Sequence, residues 1–104
     1  MAKIRDEGER VVLELSWLEK IGAFHGNLSA PKSALVSDSM METPWNRRTG
    51  MQGMRAPGTG IPGVIMLGTL RRKSGRDFAA VYGRGSARVL AFRDQPFARW
   101  IVTE

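Results

Sequence analysis

A series of short apolar segments, running from Val64 to Thr103, constrains the fold most strongly. Segments of strand length at 64–70, 78–82, 87–92 and 98–103 are separated by short turns rich in Gly, Asp and Ser, with no amphipathic helix between them. This spacing is typical of small barrels and sandwiches. We therefore predict a mainly β fold, a small antiparallel two-sheet barrel or sandwich, in which these four segments form an antiparallel meander.

The N-terminal half predicts fewer and shorter elements. Residues 10–15 alternate apolar and polar side chains, which predicts a half-buried strand. Ser16 and Glu19 have the spacing of a capping box, and Gly22 offers a left-handed stop, so we predict one short helix near residues 16–22. Two further strands are predicted at about 28–30 and 34–42.

Residues 44–63 are rich in Gly and Pro and predict a long loop. Within it, residues 58–63 match the GxGxxG pattern of a dinucleotide-binding turn. That turn needs a strand before it and a helix after it. Here Pro57 precedes the pattern, Pro62 removes one amide, and Val64 begins an apolar run with a β-branched residue. We therefore predict a bend that leads into a strand, with no nucleotide cofactor.

Length and composition exclude several classes of site. A chain of 104 residues has room for one domain, 1–104. It has no Cys and one His, His25, which argues against disulfides, thiol nucleophiles and transition-metal centres. The charged N-terminus and the absence of an apolar run of about 20 residues predict a cytoplasmic protein without a transmembrane segment. The net charge of +6 favours phosphate-bearing partners or serves solubility alone.

One candidate partner-binding set lies in the predicted loop, where aromatic and thioether side chains alternate with guanidinium groups. The alternative is that the Trp and Met side chains fold back to cover the core. The set consists of Trp45, Arg47, Arg48, Met51, Met54 and Arg55.

A second candidate is a basic hairpin tip, which would suit a phospholipid headgroup or a nucleic-acid backbone. Its residues are Arg71, Arg72, Lys73 and Arg76. The alternative is a solvated turn whose charges protect it from edge pairing.

Other residue combinations carry weaker signals. Phe78 and Tyr82, on one side of a strand with Ala80 between them, could stack nucleic-acid bases, although aromatic residues with this periodicity are more often core. Asp38 and Glu42 could form a carboxylate pair but lack a partner, and His25 is more typical of a hydrogen-bonded packing residue. We predict no catalytic residues, no metal and no enzymatic activity.

Several motifs resemble a family of small bacterial proteins with a pleckstrin-homology-like (PH-like) domain. They are LEKIGAFHGNLSAPKSALVS, PW, GMRAPGTGIPGVIMLGT and GRDFAAVYGRG, and the likeness covers about residues 10–103. The resemblance implies a seven-stranded, two-sheet barrel closed at one end by a C-terminal helix. This sequence departs from it by ending at Thr103-Glu104, so we expect no full capping helix. The family implies no activity that carries over.

Together these features predict a non-catalytic binding or scaffold module that recognises another protein or a copy of itself. Weak binding of an anionic ligand through the basic hairpin is the alternative.

Overall fold

The computed structural model describes residues 2–46, 50–51 and 54–104, and for residues 54–57 it describes the backbone. Across these residues there are nine β-strands, one α-helix and one short 3-10 helix. In chain order the elements are β1 (Lys3–Glu7), β2 (Arg10–Glu14), α1 (Trp17–Ala23), β3 (Leu28–Pro31), a 3-10 helix (Lys32–Ala34), β4 (Leu35–Met41), β5 (Met54–Ile61), β6 (Ile65–Arg72), β7 (Gly75–Tyr82), β8 (Ala87–Phe92) and β9 (Arg99–Val102).

The strands form two sheets, as predicted. The small sheet has the order β1-β2-β3 and the large sheet has the order β4-β8-β9-β7-β6-β5. Of the predicted alternatives, barrel or sandwich, the barrel is not formed: within the described residues, each of the two strands at the ends of a sheet pairs with one neighbour only. The mainly β, two-sheet class is confirmed.

The predicted meander is wrong in its order. β7 and β8 are not neighbours, because β9 lies between them, parallel to β7 and antiparallel to β8. The register places Arg99 beside Asp77 and Trp100 beside Phe78. The last strand of the described chain therefore fills the centre of the large sheet.

Alternation along the strands separates two apolar clusters on opposite faces of the large sheet. One face, here called the inner face, carries Phe78, Leu90 and Trp100, which pack in one cluster with Leu13 and Leu28 of the small sheet. The opposite, outer face carries residues that cluster with the segment after β4: Leu70, Ala79, Val81, Val89, Ile101 and Met51. Since successive side chains of a strand point to opposite faces, one sheet supports both clusters.

Several predicted elements are confirmed. Strands occur at Arg10–Glu14, Leu28–Pro31, Leu35–Met41 and Ala87–Phe92, and β6 and β7 form the predicted hairpin. The turn of that hairpin is shorter than predicted, because Arg72 pairs with Gly75 and two residues remain between them. After Gly63 the chain enters β6 and not a helix, as predicted.

The predicted loop 44–63 is wrong for its second half, because residues 54–61 form β5 along β6. Gly58 shows why a glycine-rich segment forms a strand here. It pairs with Gly68 at φ +154, and a Cβ at Gly58 would overlap the carbonyl oxygen of Leu67. Glycine therefore permits a close approach of two strands, a use that a loop-like composition hides. β1 was not predicted, since its residues are mostly charged and exposed.

Candidate functional site

Helix α1 begins with the predicted capping box. The Glu19 amide donates to the Ser16 hydroxyl at 3.2 Å, and the Ser16 amide donates to the Glu19 carboxylate at 2.8 Å. The predicted stop at Gly22 is wrong, because the helix continues to Ala23. The left-handed residue is Phe24, at φ 53 and ψ 42.

The inward side of α1 is anchored to the large sheet by polar contacts. Glu19 is buried, and its carboxylate accepts a hydrogen bond from the Tyr82 hydroxyl at 2.6 Å. The Thr59 hydroxyl in β5 donates to the Gly22 carbonyl at 2.8 Å. Two strands therefore fix which side of this short helix faces the sheet.

The Glu19–Tyr82 contact shifts the pKa values of both side chains. Burial by itself would raise the pKa of Glu19, but hydrogen bonds from Tyr82 and Ser16 outweigh it, so this pKa lies below its ordinary value. Burial, together with the Glu19 carboxylate, raises the pKa of Tyr82. At neutral pH the pair is a tyrosine hydroxyl donating to a carboxylate.

Tyr82→Phe should therefore lower the free energy of unfolding at neutral pH by about 2 kcal/mol, the value of a hydrogen bond to a charged acceptor. Since folding lowers the pKa of Glu19, its contribution is present above its ordinary pKa and is lost as pH falls through the folded value. The difference in the free energy of unfolding between wild type and Tyr82→Phe should thus become smaller in acid. Urea unfolding at several pH values checks this, with Thr59→Val, which removes a neutral donor, as control. An equal narrowing for both variants would contradict the assignment.

The outward side of α1 is apolar and exposed. Three large apolar side chains of the helix are exposed, by 69% at Trp17, 67% at Leu18 and 57% at Ile21, and Phe24 at its C-cap is exposed by 71%. We call these four residues the α1 surface. Spacings of three and four residues place 17, 21 and 24 on one stripe of a helix. In the sequence such a stripe is typical of a core-facing helix, which is why sequence reasoning missed this surface.

Two further exposed apolar residues, Ile61 and Val64, lie at the β5–β6 turn. Ile61 pairs with Ile65, and Ile65 pairs with Tyr82, whose hydroxyl contacts Glu19 in α1. The turn therefore lies at the end of the sheet where Glu19 is anchored. It extends the apolar area beside α1.

Charged residues near the α1 surface and the β5–β6 turn include Lys20, Arg84 and Glu14, of which Glu14 is paired with Arg5. Lys20 lies in the helix, and the Arg84 guanidinium packs against Gly63, where an added Cβ would overlap it. Glu19 is the single acidic residue between positions 15 and 37, and its carboxylate is buried and hydrogen-bonded. The sequence 43–76 contains no Asp or Glu. The apolar side chains of the α1 surface thus face solvent, with Lys20 in the same helix.

The structure divides the predicted partner-binding set. The Trp45 indole donates to the Gly83 carbonyl at 2.7 Å, and Met51 is buried in the outer-face cluster, against which Trp45 packs. These two side chains adopt the covering arrangement. Arg47 and Arg48 lie outside the described residues, and for Met54 and Arg55 the backbone in β5 is described.

The predicted basic tip is also divided between the two faces of the hairpin. Arg72 forms a two-point contact with Asp77, with both N–O distances at 2.9 Å, and it also contacts Ser74. The Arg76 guanidinium lies 5.4 Å from the ring centre of Phe97, a cation–π distance. Arg71 is paired across the hairpin with Arg76, and Lys73 is exposed at the turn. The structure therefore brings Arg71 and Arg76 together and directs Arg72 elsewhere.

Asp77 is the centre of a buried ionic cluster on the outer face. Its side chain is fully buried, and besides Arg72 it accepts hydrogen bonds from Arg99 at 2.7 and 3.1 Å. Arg99 also donates to the Gly50 carbonyl at 3.2 Å. The cluster connects β6, β7, β9 and the segment after β4, which is a structural use of these cations.

The aromatic residues predicted as core lie in the inner-face cluster. Phe78 is fully buried, and Tyr82 is partly buried against the same cluster. His25 packs edge-on against Phe97, with ring centres 5.4 Å apart, and its Nδ1 lies 2.8 Å from the Gly26 carbonyl oxygen. These contacts fit the predicted packing role. A cleft of about 230 Å³ beside them is lined by residues that include His25, Leu28, Phe97 and Trp100.

The remaining acidic candidates do not converge. Asp38 makes a two-point contact with Arg88, at 2.9 and 2.6 Å, whereas Glu42 is exposed beyond the end of β4. In the described part of the chain, no three His, Cys, Asp or Glu residues are grouped so that they could hold a metal ion. No helix among the described residues is long and apolar enough to cross a membrane.

Comparison with protein-family models, with curated proteins and with solved structures found no match. The resemblance to PH-like proteins stays a prediction that depends on the sequence motifs alone.

Proposed function

We propose that this chain is a non-catalytic binding module that recognises another protein through the α1 surface, and that its fold is PH-like. The observation that carries the binding proposal is Phe24. This residue is 71% exposed, so its ring contributes little to burial, and its backbone is left-handed at φ 53. A left-handed conformation costs a non-glycine residue about 1 kcal/mol, whereas glycine adopts it freely. An exposed aromatic side chain retained at this cost favours a role in contact over a role in folding.

The surroundings indicate what the partner carries. Lys20 lies in α1, Arg84 lies against Gly63 at the β5–β6 turn, and the Glu19 carboxylate is buried and does not oppose negative charge. Interfaces combine an apolar centre, enriched in aromatic residues, with a polar rim. The partner that fits is a protein with an apolar patch bordered by Asp or Glu.

Phe24→Gly should raise the free energy of unfolding by about 1 kcal/mol, because glycine removes the left-handed strain while little buried area is lost. Urea unfolding measures the change, and Gly26→Ala in the following turn is a control without positive φ. Partner binding should weaken in the same variant. A lower stability of Phe24→Gly would show that the ring supports the fold.

The binding proposal is tested by photo-crosslinking in the cells that produce the protein. A photoreactive phenylalanine analogue is placed at Phe24, and at Glu9 in the exposed β1–β2 turn as control. We expect one defined heterologous adduct from position 24, lost when Ile21→Glu is added, and none from position 9. The same adducts from both positions would contradict recognition through the α1 surface.

An anionic lipid surface is a second candidate, supported by the charge distribution. Residues 43–76 contain no acidic residue, and besides Arg72, which is held by Asp77, they contain these basic ones: Arg47, Arg48, Arg55, Arg71, Lys73 and Arg76. Exposed Trp and Phe side chains with nearby cations suit a headgroup region. Flotation with anionic and with neutral vesicles distinguishes the candidates. Flotation with anionic vesicles that is lost in Ile21→Glu, with no protein adduct, would replace the first proposal by this one.

A further inference from the structure

Four strands end the two sheets, and three of them carry features that hinder pairing with another strand. β1 presents charged side chains that include Lys3 and Arg5, β3 is four residues long and ends at Pro31, and β5 contains Pro57 and a register shift after Arg55. Charges, proline, shortness and irregular register are the usual means by which sheet edges avoid association.

β4 shares one of these features, a register shift between Leu35 and Ser37, and lacks the basic residues, the proline and the shortness of the other edges. It has seven residues, contains no Lys, Arg or Pro, and is exposed along most of its length. Val36 and Met40 are each 62% exposed on it. Its register is continuous from Ser37 to Met41, after a shift near Leu35. Within the described part of the chain no strand pairs with the second side of β4, which therefore presents an extended backbone that another strand can pair with.

The order of side chains along β4 is symmetric about Asp38. Ser37 and Ser39 lie on either side of it, followed by the apolar residues Val36 and Met40. The symmetry ends there, because the register shifts between Leu35 and Ser37, and Leu35 packs with the inner-face cluster whereas Met41 packs with the outer-face cluster. From 36 to 40 the strand matches itself when it is turned end to end, because each residue meets one of the same character.

We propose that two copies of this chain pair through β4, antiparallel, with a two-fold axis at Asp38. In this register Val36 lies opposite Met40 of the partner subunit, and Ser37 lies opposite Ser39 of the partner subunit. The two large sheets then form one continuous sheet. A two-fold contact uses the same patch on both copies, which a symmetric strand satisfies.

The charge at the axis is partly balanced. Two carboxylates directly opposite each other would repel. Each Asp38, however, already holds a two-point contact with Arg88 of its own chain, and Arg88 also contacts Glu104 at 3.1 Å. What repulsion remains comes from Glu104, which shares Arg88 with Asp38, and from the +6 charge of each copy, and it is screened by salt. The contact should therefore persist or strengthen as ionic strength rises, whereas a contact with an acidic peptide would weaken.

The first test is the solution mass by light scattering, over a range of protein and salt concentrations. We expect the wild type to approach twice 11.5 kDa as its concentration rises. The double variant Val36→Lys, Met40→Lys should be monomeric, because lysines on an edge strand hinder its pairing with another strand. The control is Ile61→Lys with Val64→Lys, which adds the same charge at sites of similar exposure and should remain dimeric. A monomeric wild type, or equal behaviour of the two double variants, would overturn the proposal.

A second test locates the axis. The chain has no Cys, so a single introduced thiol can pair only with the same residue of another copy. Paired residues in an antiparallel sheet have Cα atoms about 5 Å apart, which a disulfide can span. Asp38→Cys should form a disulfide-linked dimer on mild oxidation, and Ser33→Cys, before β4, should not. Equal cross-linking of both variants would place the contact elsewhere. A heterologous adduct from position 24 together with a monomeric wild type would leave the proposed function intact and reject this pairing.

Discussion

Asp77→Asn should lower the free energy of unfolding by roughly 3 kcal/mol, because it leaves two guanidiniums without their carboxylate. The side chain of Asp77 is fully buried, and those of Arg72 and Arg99 are 21% and 19% exposed. Breaking a buried ion pair costs about 3–5 kcal/mol, and the partial exposure of the two cations places the expected value at the lower end. Urea unfolding at neutral pH measures it.

The control is Glu14→Gln, which changes a carboxylate to an amide in the exposed pair with Arg5. Exposed pairs contribute little because water screens them, so the midpoint of this variant should stay close to that of the wild type. Similar losses in Asp77→Asn and Glu14→Gln would show that the buried cluster does not hold β6, β7 and β9 together.

Phe78→Ala should lower the free energy of unfolding by about 3–5 kcal/mol, the usual cost of emptying a buried aromatic site. Phe78 is fully buried on the inner face, with the ring centres of Phe97 and His25 at 5.6 and 5.5 Å. This loss is a large part of the total free energy of unfolding of a small domain. Urea unfolding again provides the measurement.

The control is Phe24→Ala, which removes an aromatic ring from an exposed position. Alanine, unlike glycine, retains the strain of the left-handed backbone at this position, so the variant reports the loss of the ring alone. Its stability should therefore remain within about 0.5 kcal/mol of the wild type. Equal losses of unfolding free energy in Phe78→Ala and Phe24→Ala would contradict the assignment of Phe78 to the core and of Phe24 to the surface.

Local patterns were sufficient for the elements whose signals lie within a few residues. Alternation at 10–14 identifies β2, and the Ser16–Glu19 spacing identifies the start of α1. The β6–β7 hairpin follows from two apolar runs around a short polar turn. In each case the residues that determine the structure are neighbours in sequence.

The order of strands depends on contacts between distant residues and could not be predicted. β9 lies beside β7 because Arg99 meets Asp77 and Trp100 meets Phe78, pairs that are 22 residues apart. A prediction that pairs consecutive segments as hairpins cannot foresee that a later strand, β9, lies between β7 and β8. In β5 the glycine that suggests a loop is the residue that allows close strand approach at Leu67.

The α1 surface was hidden for a similar reason. Trp17, Ile21 and Phe24 have the spacing of a buried stripe, and nothing in their identity indicates exposure. The side that faces the sheet is determined by Glu19 and by its contact with Tyr82, 63 residues away. A polar residue is therefore buried under the helix and the apolar residues remain outside.

The central claim is that the outward side of α1 serves contact and not folding. The most direct test is the free energy of unfolding of a Leu18→Gln, Ile21→Gln double variant, since Gln keeps good helix propensity and removes the apolar surface. We predict a value within about 0.5 kcal/mol of the wild type, as expected for surface substitutions. A loss of more than about 2 kcal/mol, typical of emptied core positions, would show that these side chains hold the fold together and would contradict the account.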